Sequence, residues 1–186
     1  MKTKVLIVGG GPVGLTLGMD LAWRGIDVVI AERRPANDPP NVKCGQIGAR
    51  SMEIFRRLGV ADKLRGIGLP ADHANDIVSA TSVTGMELSR VVIPARGDRG
   101  TPAATGPDTA WPTPEHTHRC NQKFFEPVLF AHAGEQPRIQ ILHRTEITDF
   151  AQGNDGVIAT ATDLDAGTRV LIACDYLVGC DGASSS

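Results

Sequence analysis

Several things are scarce in this chain, and each scarcity closes a class of function. There is no excess of charge: 19 Lys and Arg stand against 21 Asp and Glu, a formal net charge of -2 over 186 residues. No basic field exists to attract nucleic acid or anionic lipid. Long hydrophobic runs are missing too. Val5 to Val8 follows two lysines like the start of a signal peptide, but glycines and a proline interrupt it after four residues, and nothing approaches the length of a membrane-spanning helix. The four cysteines, Cys44, Cys120, Cys174 and Cys180, form neither a CxxC pair nor a dense disulfide framework. Reduced thiols and a cytoplasmic location are expected.

What is present is concentrated at the N-terminus. The apolar run Val5-Leu6-Ile7-Val8 is followed by Gly9-Gly10-Gly11-Pro12-Val13-Gly14, a helix-like stretch to Gly25, and Val28-Val29-Ile30-Ala31-Glu32. The G-x-G-x-x-G spacing of Gly9, Gly11 and Gly14 lies between a strand and a helix, the context a dinucleotide-binding βαβ unit requires. Gly9 permits the tight turn, Gly11 lets a pyrophosphate approach without meeting a Cβ, and Gly14 lets the helix pack closely on the sheet. Phosphate would sit on free amides at the positive end of the helix dipole. Gly18 extends the smooth face, Leu17 and Leu21 suggest an apolar stripe, and Gly25 suits a C-cap. Glu32, 18 residues after Gly14, would accept hydrogen bonds from ribose hydroxyls and repel a 2′-phosphate. Arg33 and Arg34 leave room for a 2′-phosphate or adenine contact, or for simple solvation.

A polar, proline-rich connection from Arg34 to Asn41 leads to a second helix with Met52, Phe55 and Leu58 on one face and Gly59 as its stop. A short turn of helix is expected over 60–64. Period-two patterning over 77–83 and 87–93, around Thr84-Gly85, predicts an antiparallel hairpin. Residues 94–114, with five of the twelve prolines, predict a long loop. Asn121 caps a third helix to about Ala133, with Phe125, Leu129 and His132 near one face; Pro127 predicts a kink or a later start. Short strands over 138–143, 146–152, 157–163 and 168–173 predict a β-meander, and a last strand, 176–179, runs into Cys180-Asp181-Gly182.

Taken in order, Gly9-x-Gly11-x-x-Gly14, Glu32-Arg33, the run Ala49 to Gly59, Gln122-x-x-x-Glu126-Pro127-x-Leu129 and Asp175 to Ala183 resemble the single-component, group A FAD-dependent aromatic hydroxylases, related to p-hydroxybenzoate and phenol hydroxylases. The resemblance covers the chain from end to end. It implies an α/β fold: a Rossmann-like FAD-binding βαβ unit with a β-meander, plus the first hairpin of a substrate-domain sheet. On that reading residues 1–75 and 115–186 are FAD-binding domain, and 76–114 begin the substrate domain. The turn from Gly9 through Pro12, Val13 and Gly14, with Glu32 and Arg33, is implied to hold the ADP part of FAD. Arg50 is implied to lie near the pyrophosphate and the nicotinamide's approach, Gln122 on the ribityl side, and Asp181-Gly182 against FAD. Ser184 departs from the arginine of a D-G-A-R-S run. The implied activity is hydroxylation of a phenolic or polyketide-like aromatic with NAD(P)H and O2. Relatives are longer, so the chain is expected to be an N-terminal portion, and no catalytic residue is singled out.

Other readings stay open. His116, His118 and Cys120 present three zinc-ligand types without an evident fourth, so no metal is expected. Cys44 is followed at residue 49 by alanine, so the C-x4-C pair of disulfide reductases is absent. Cys174 and Cys180 are expected to pack as small apolar groups. An FAD-dependent reductase or dehydrogenase, or a truncated non-catalytic nucleotide-binding module, are the alternatives. Neither nucleic acid nor membrane is expected as a partner, and the oligomeric state is left open.

Overall fold

The computed structural model describes residues 1–36, 38–40, 43–101 and 103–183; Ser184, and Asn37 and Asn41 of the proline-rich connection, lie outside them. The chain divides into two compact units, residues 1–41 with 125–186, and residues 42–124.

The first unit is built on a six-stranded sheet. Strand β1 is Lys2–Val8, helix α1 Pro12–Trp23 and strand β2 Val28–Ala31. Apolar β-branched residues make both strands suitable for burial on two faces, as parallel sheets require. Val5, Leu6 and Ile7 of β1 and all four residues of β2 are buried. Alternation sends Ile7 and Ile30 toward α1, while Leu6, Val29 and Ala31 turn to the opposite face. Gly25, one residue beyond the C-cap Arg24, stops α1 with φ +82°. The predicted Leu17 and Leu21 stripe is only half-buried. The face that α1 buries is Gly14, Leu15, Gly18 and Met19, because the two glycines bring the helix axis close to the sheet.

Strands β5 Ile139–Leu142, β6 Thr145–Gly153, β7 Gly156–Asp163 and β8 Thr168–Gly179 complete the unit, in the order β5-β2-β1-β8-β7-β6. Two expectations are corrected here. Strand β5 does not belong to the meander: it pairs parallel with β2, Val28 opposite Ile139. The stretches 168–173 and 176–179 are not separate strands but one, β8, which runs antiparallel to β7 through Cys174 and parallel to β1 from Ala173 to Gly179. Asp175, which lies between the two stretches, is at the surface of the strand, and its carboxylate accepts a 2.7 Å hydrogen bond from Lys4 Nζ on the neighbouring strand. One core of the unit joins Leu6, Val29 and Ala31 to Ala159, Ala161, Ile172 and Cys174.

The second unit holds α2 Ala49–Arg57, α3 Ala61–Arg65 and the antiparallel hairpin β3 Ile77–Ala80 with β4 Glu87–Val91. Met52 and Phe55 are buried as their spacing predicts, and Val60 and Leu64 are buried as well. The hairpin is shorter than expected and exposed along its whole length, leaving Ile77, Leu88 and Val91 in solvent. No helix or strand lies among the described residues of 92–121. Helix α4, Gln122–Gly134, starts where Asn121 places it: the Lys123 N–H donates to Asn121 Oδ1 at 3.1 Å. Pro127 lies inside the helix and does not delay its start.

Candidate cofactor site

The glycine turn, Glu32 and the Asp181-Gly182 turn are brought together by strand order alone. Strands β2, β1 and β8 are neighbours and parallel, so their carboxyl ends open on one edge, where ligands of parallel sheets gather. Gly9 adopts φ +105°. Its ideal Cβ would stand 2.6 Å from Cys180 O and 2.8 Å from Asp181 Cα, so the two turns pack backbone to backbone. The Cys180 N–H donates to Val8 O at 2.7 Å and locks them in register. Gly182 follows at φ +91°.

Gly14 fills the role its spacing predicts: a Cβ there would stand 2.0 Å from Gly9 O. At Gly11 nothing lies within 4 Å of the Cβ position, so the glycine opens onto free space. Gly11 is also the N-cap of α1, with no side-chain cap and no acidic residue in the first turn. The leading amides, including that of the exposed Val13, therefore have no side-chain acceptor, while Pro12 has no amide to satisfy. An uncapped helix start beside an open glycine fits a phosphate group. The residues present fit the pyrophosphate of a dinucleotide.

Glu32 is 6% exposed and lies one residue beyond β2. Its Oε2 accepts the Gly10 N–H at 2.8 Å, and its Oε1 accepts the Arg34 N–H at 2.8 Å. Burial opposes ionisation here, yet the bonds from Arg34 and Gly10 outweigh it and hold the carboxyl below its ordinary range. Arg34 is not solvated. Its guanidinium bonds both Glu32 oxygens, and its Nη2 donates to Glu126 Oε1 of α4 at 2.8 Å. Burial opposes its charge, but the two carboxylates outweigh that and raise its pKa. Arg33 is exposed. A cavity of about 360 Å³ opens beside this group, lined by Pro35, Pro127, Phe130 and His143 among others.

Sequence reasoning missed the Arg34–Glu126 pair, whose members lie 92 residues apart. Glu126 stood in a recognised motif without a role, and no local pattern names its partner.

Arg50 and Gln122 belong to the second unit. Arg50 is on the surface of α2, paired with Glu53 at 2.7 Å. Gln122 is buried; its Oε1 accepts the Lys43 N–H at 3.2 Å and its own N–H donates to Cys44 O at 2.9 Å. His118, 1% exposed, uses Nε2 to donate to Leu64 O at 2.9 Å, and the Cys120 thiol turns to Asn121 O, so neither side chain is directed at a shared centre. Among the described residues no group of three or more His, Cys, Asp or Glu could hold a metal ion, and no helix is long and apolar enough to cross a membrane. Cys174 is buried and Cys180 half-buried, and all four thiols are free.

Comparison with known proteins agrees with this geometry. Residues 2–186 match the family described as FAD binding domain. Aklavinone 12-hydroxylase DnrF of Streptomyces peucetius subsp. caesius is 34% identical over 182 residues, which take in 98% of this chain and 36% of that protein. For 2,4-dichlorophenol 6-monooxygenase of Delftia acidovorans the figures are 30% over 185 residues, with 100% and 30% covered. The crystal structure of the flavin-dependent monooxygenase PieE in complex with FAD and substrate superposes with a TM-score of 0.87 at 29% identity, over 100% of this chain and 31% of that one. The chain thus spans about a third of the length of these relatives. With a glycine cradle, an uncapped helix start and a family match along its whole length, the chain belongs to the FAD-binding domain family.

Proposed function

We propose that the protein carrying this chain is an FAD-dependent monooxygenase that uses NAD(P)H and O2 to hydroxylate a phenolic or polyketide-like aromatic substrate. The observation that carries the reading is the open, uncapped cradle at Gly11, in a chain whose relatives include a hydroxylase and a phenol monooxygenase. The turn of Gly9, Gly11, Pro12, Val13 and Gly14 takes the pyrophosphate: the leading helix amides, Val13 among them, donate to it, Gly9 and Gly14 shape the turn, Gly11 leaves it open, and Pro12 starts the helix without an N–H of its own. Glu32 and Arg33 take the adenosine end, and Asp181 and Gly182 close the edge. Arg50 and Gln122 are assigned to the nicotinamide approach and the ribityl side. Bound FAD would supply the redox chemistry of a reaction in which NAD(P)H and O2 are consumed, one oxygen atom entering the ring and the other ending as water.

The protein's own work is to bind, orient and exclude water. Residues 76–114 are assigned to the start of a substrate domain, a role supported by the exposed apolar residues of the hairpin, which suit a larger sheet. Residues 1–75 and 115–186 are assigned to FAD. The four free thiols support a cytoplasmic location.

The test begins with the purified protein. Denaturation should release FAD, identified by chromatography, and an oxygen electrode should record NAD(P)H-dependent uptake that rises with a phenolic substrate. NAD(P)H oxidation with no oxygen uptake would replace the monooxygenase by a reductase. A colourless protein that cannot be loaded with FAD would remove both.

A further inference from the structure

The carboxylate assigned to the ribose is already full. Glu32 accepts two backbone N–H groups, from Gly10 and Arg34, each at 2.8 Å. The Arg34 guanidinium supplies two more bonds, Nε to Oε1 at 3.2 Å and Nη2 to Oε2 at 3.3 Å. A carboxylate presents about four lone-pair positions. No acceptor position is left for a hydroxyl.

The four donors are not equivalent. The two amides are short and fixed by the chain. The guanidinium bonds are longer, and their owner has a second anchor, because Nη2 reaches Glu126 Oε1 at 2.8 Å. Glu126 is 4% exposed and Arg34 is half-buried. A guanidinium moved off Glu32 with no other anion would stand partly desolvated and unpaired, which is costly. With Glu126 in place one ion pair survives the move, and the adjoining cavity of about 360 Å³ gives the side chain room.

We propose that Arg34 is a displaceable occupant of the Glu32 carboxylate: the ribose diol of the cofactor takes the acceptor positions that the guanidinium now fills, and Glu126 retains the displaced guanidinium. This rests on the FAD reading and deepens it. Glu126 acts through Arg34 as a positioning residue and touches no ligand itself. The exchange trades two charge-assisted bonds from protein for two from hydroxyls, so a ligand without the diol cannot drive it.

The experiment is a titration of apoprotein with FAD, followed by quenching of flavin fluorescence, for the parent, Glu126→Gln, Arg34→Met and the double variant. Glu126→Gln is expected to weaken FAD about tenfold, because the glutamine offers Arg34 only a neutral acceptor and leaves Glu32 as its one anionic partner. Adding Arg34→Met removes the competitor and is expected to restore affinity to within about threefold of the parent. A structural bridge predicts the opposite, with both single variants and the double variant all weakened; that result, or an unchanged Glu126→Gln, overturns the proposal. If Glu126→Gln does not fold by circular dichroism, Arg34→Met decides alone: equal or tighter FAD supports displacement, and a tenfold loss overturns it. A parent that binds neither FAD nor ADP overturns the cofactor reading itself, an outcome distinct from any of these.

Discussion

A methyl group on Gly14 would stand 2.0 Å from the Gly9 carbonyl oxygen and 3.2 Å from Ile7 Cγ2, so Gly14→Ala must push α1 away from the sheet or distort the turn. The expected cost is about 3 kcal/mol, the upper range of overpacking, read as a fall in the urea midpoint. A variant within about 0.5 kcal/mol of the parent would show that the helix stands off more than the structure indicates. His118 is the second residue whose chemistry can be tested. Burial holds its pKa below the ordinary 6.5, and Arg96 and Arg65 push the same way against the bond to Leu64 O. The folded state therefore favours the neutral ring. Its contribution is fully present above pH 6.5, and falls as pH drops from there toward the folded value, because the unfolded chain takes up the proton first. Melting temperature should drop between pH 7.5 and 5.5 in the parent and drop less in His118→Gln; equal slopes would remove His118 as the cause.

At the scale of elements, α4 and β8 show where local pattern and surroundings divide the work. The Asn121 cap is a local device, and Asn121→Ala should cost about 1 kcal/mol, measured by chemical denaturation; a change below about 0.3 kcal/mol would mean that Lys123 N–H finds another acceptor. Pro127 withdraws one helical hydrogen bond, yet α4 runs through it from Gln122 to Gly134. Phe125, Glu126, Leu129 and Ala133 are all buried along it, and that burial offsets the penalty for which the sequence reading expected a kink or a later start. In β8 the apolar pattern is interrupted at Asp175, and the strand continues because its backbone pairs with β7 as far as Cys174 and with β1 from Ala173 onward, while Lys4 of β1 meets the carboxylate at the surface. In α1 the apolar leucines misled: the buried face follows the glycines, since close approach to Ile7 and Ile30 is available only where side chains are missing.

At the scale of the whole molecule, the first unit is discontinuous, with residues 1–41 and 125–186 sharing one sheet. The Gly9 turn and the Asp181 turn thus come from opposite ends of the chain, and the cradle exists only when β8 has docked on β1. Ligand that binds the folded cradle should stabilise the protein by mass action, about 2.7 kcal/mol at a hundredfold excess over Kd. ADP should raise the melting temperature in scanning calorimetry while riboflavin does so far less, because the assigned cradle grips the ADP half. Equal shifts with both would move the binding determinants elsewhere.

The sequence by itself determined the βαβ start, the glycine turn, the hairpin and the capped α4, since each rests on short-range strand, turn and cap signals, and it determined the family through the order of motifs along the whole chain. It also placed Glu32 at the end of β2. Only the tertiary structure decided that β5 joins β2, that β8 is one strand with an antiparallel and a parallel partner, and that Arg34 lies between Glu32 and Glu126. The reason is physical. Strand pairing and ion pairing across 92 residues or more depend on which surfaces meet when the sheet closes, and no local periodicity encodes that meeting.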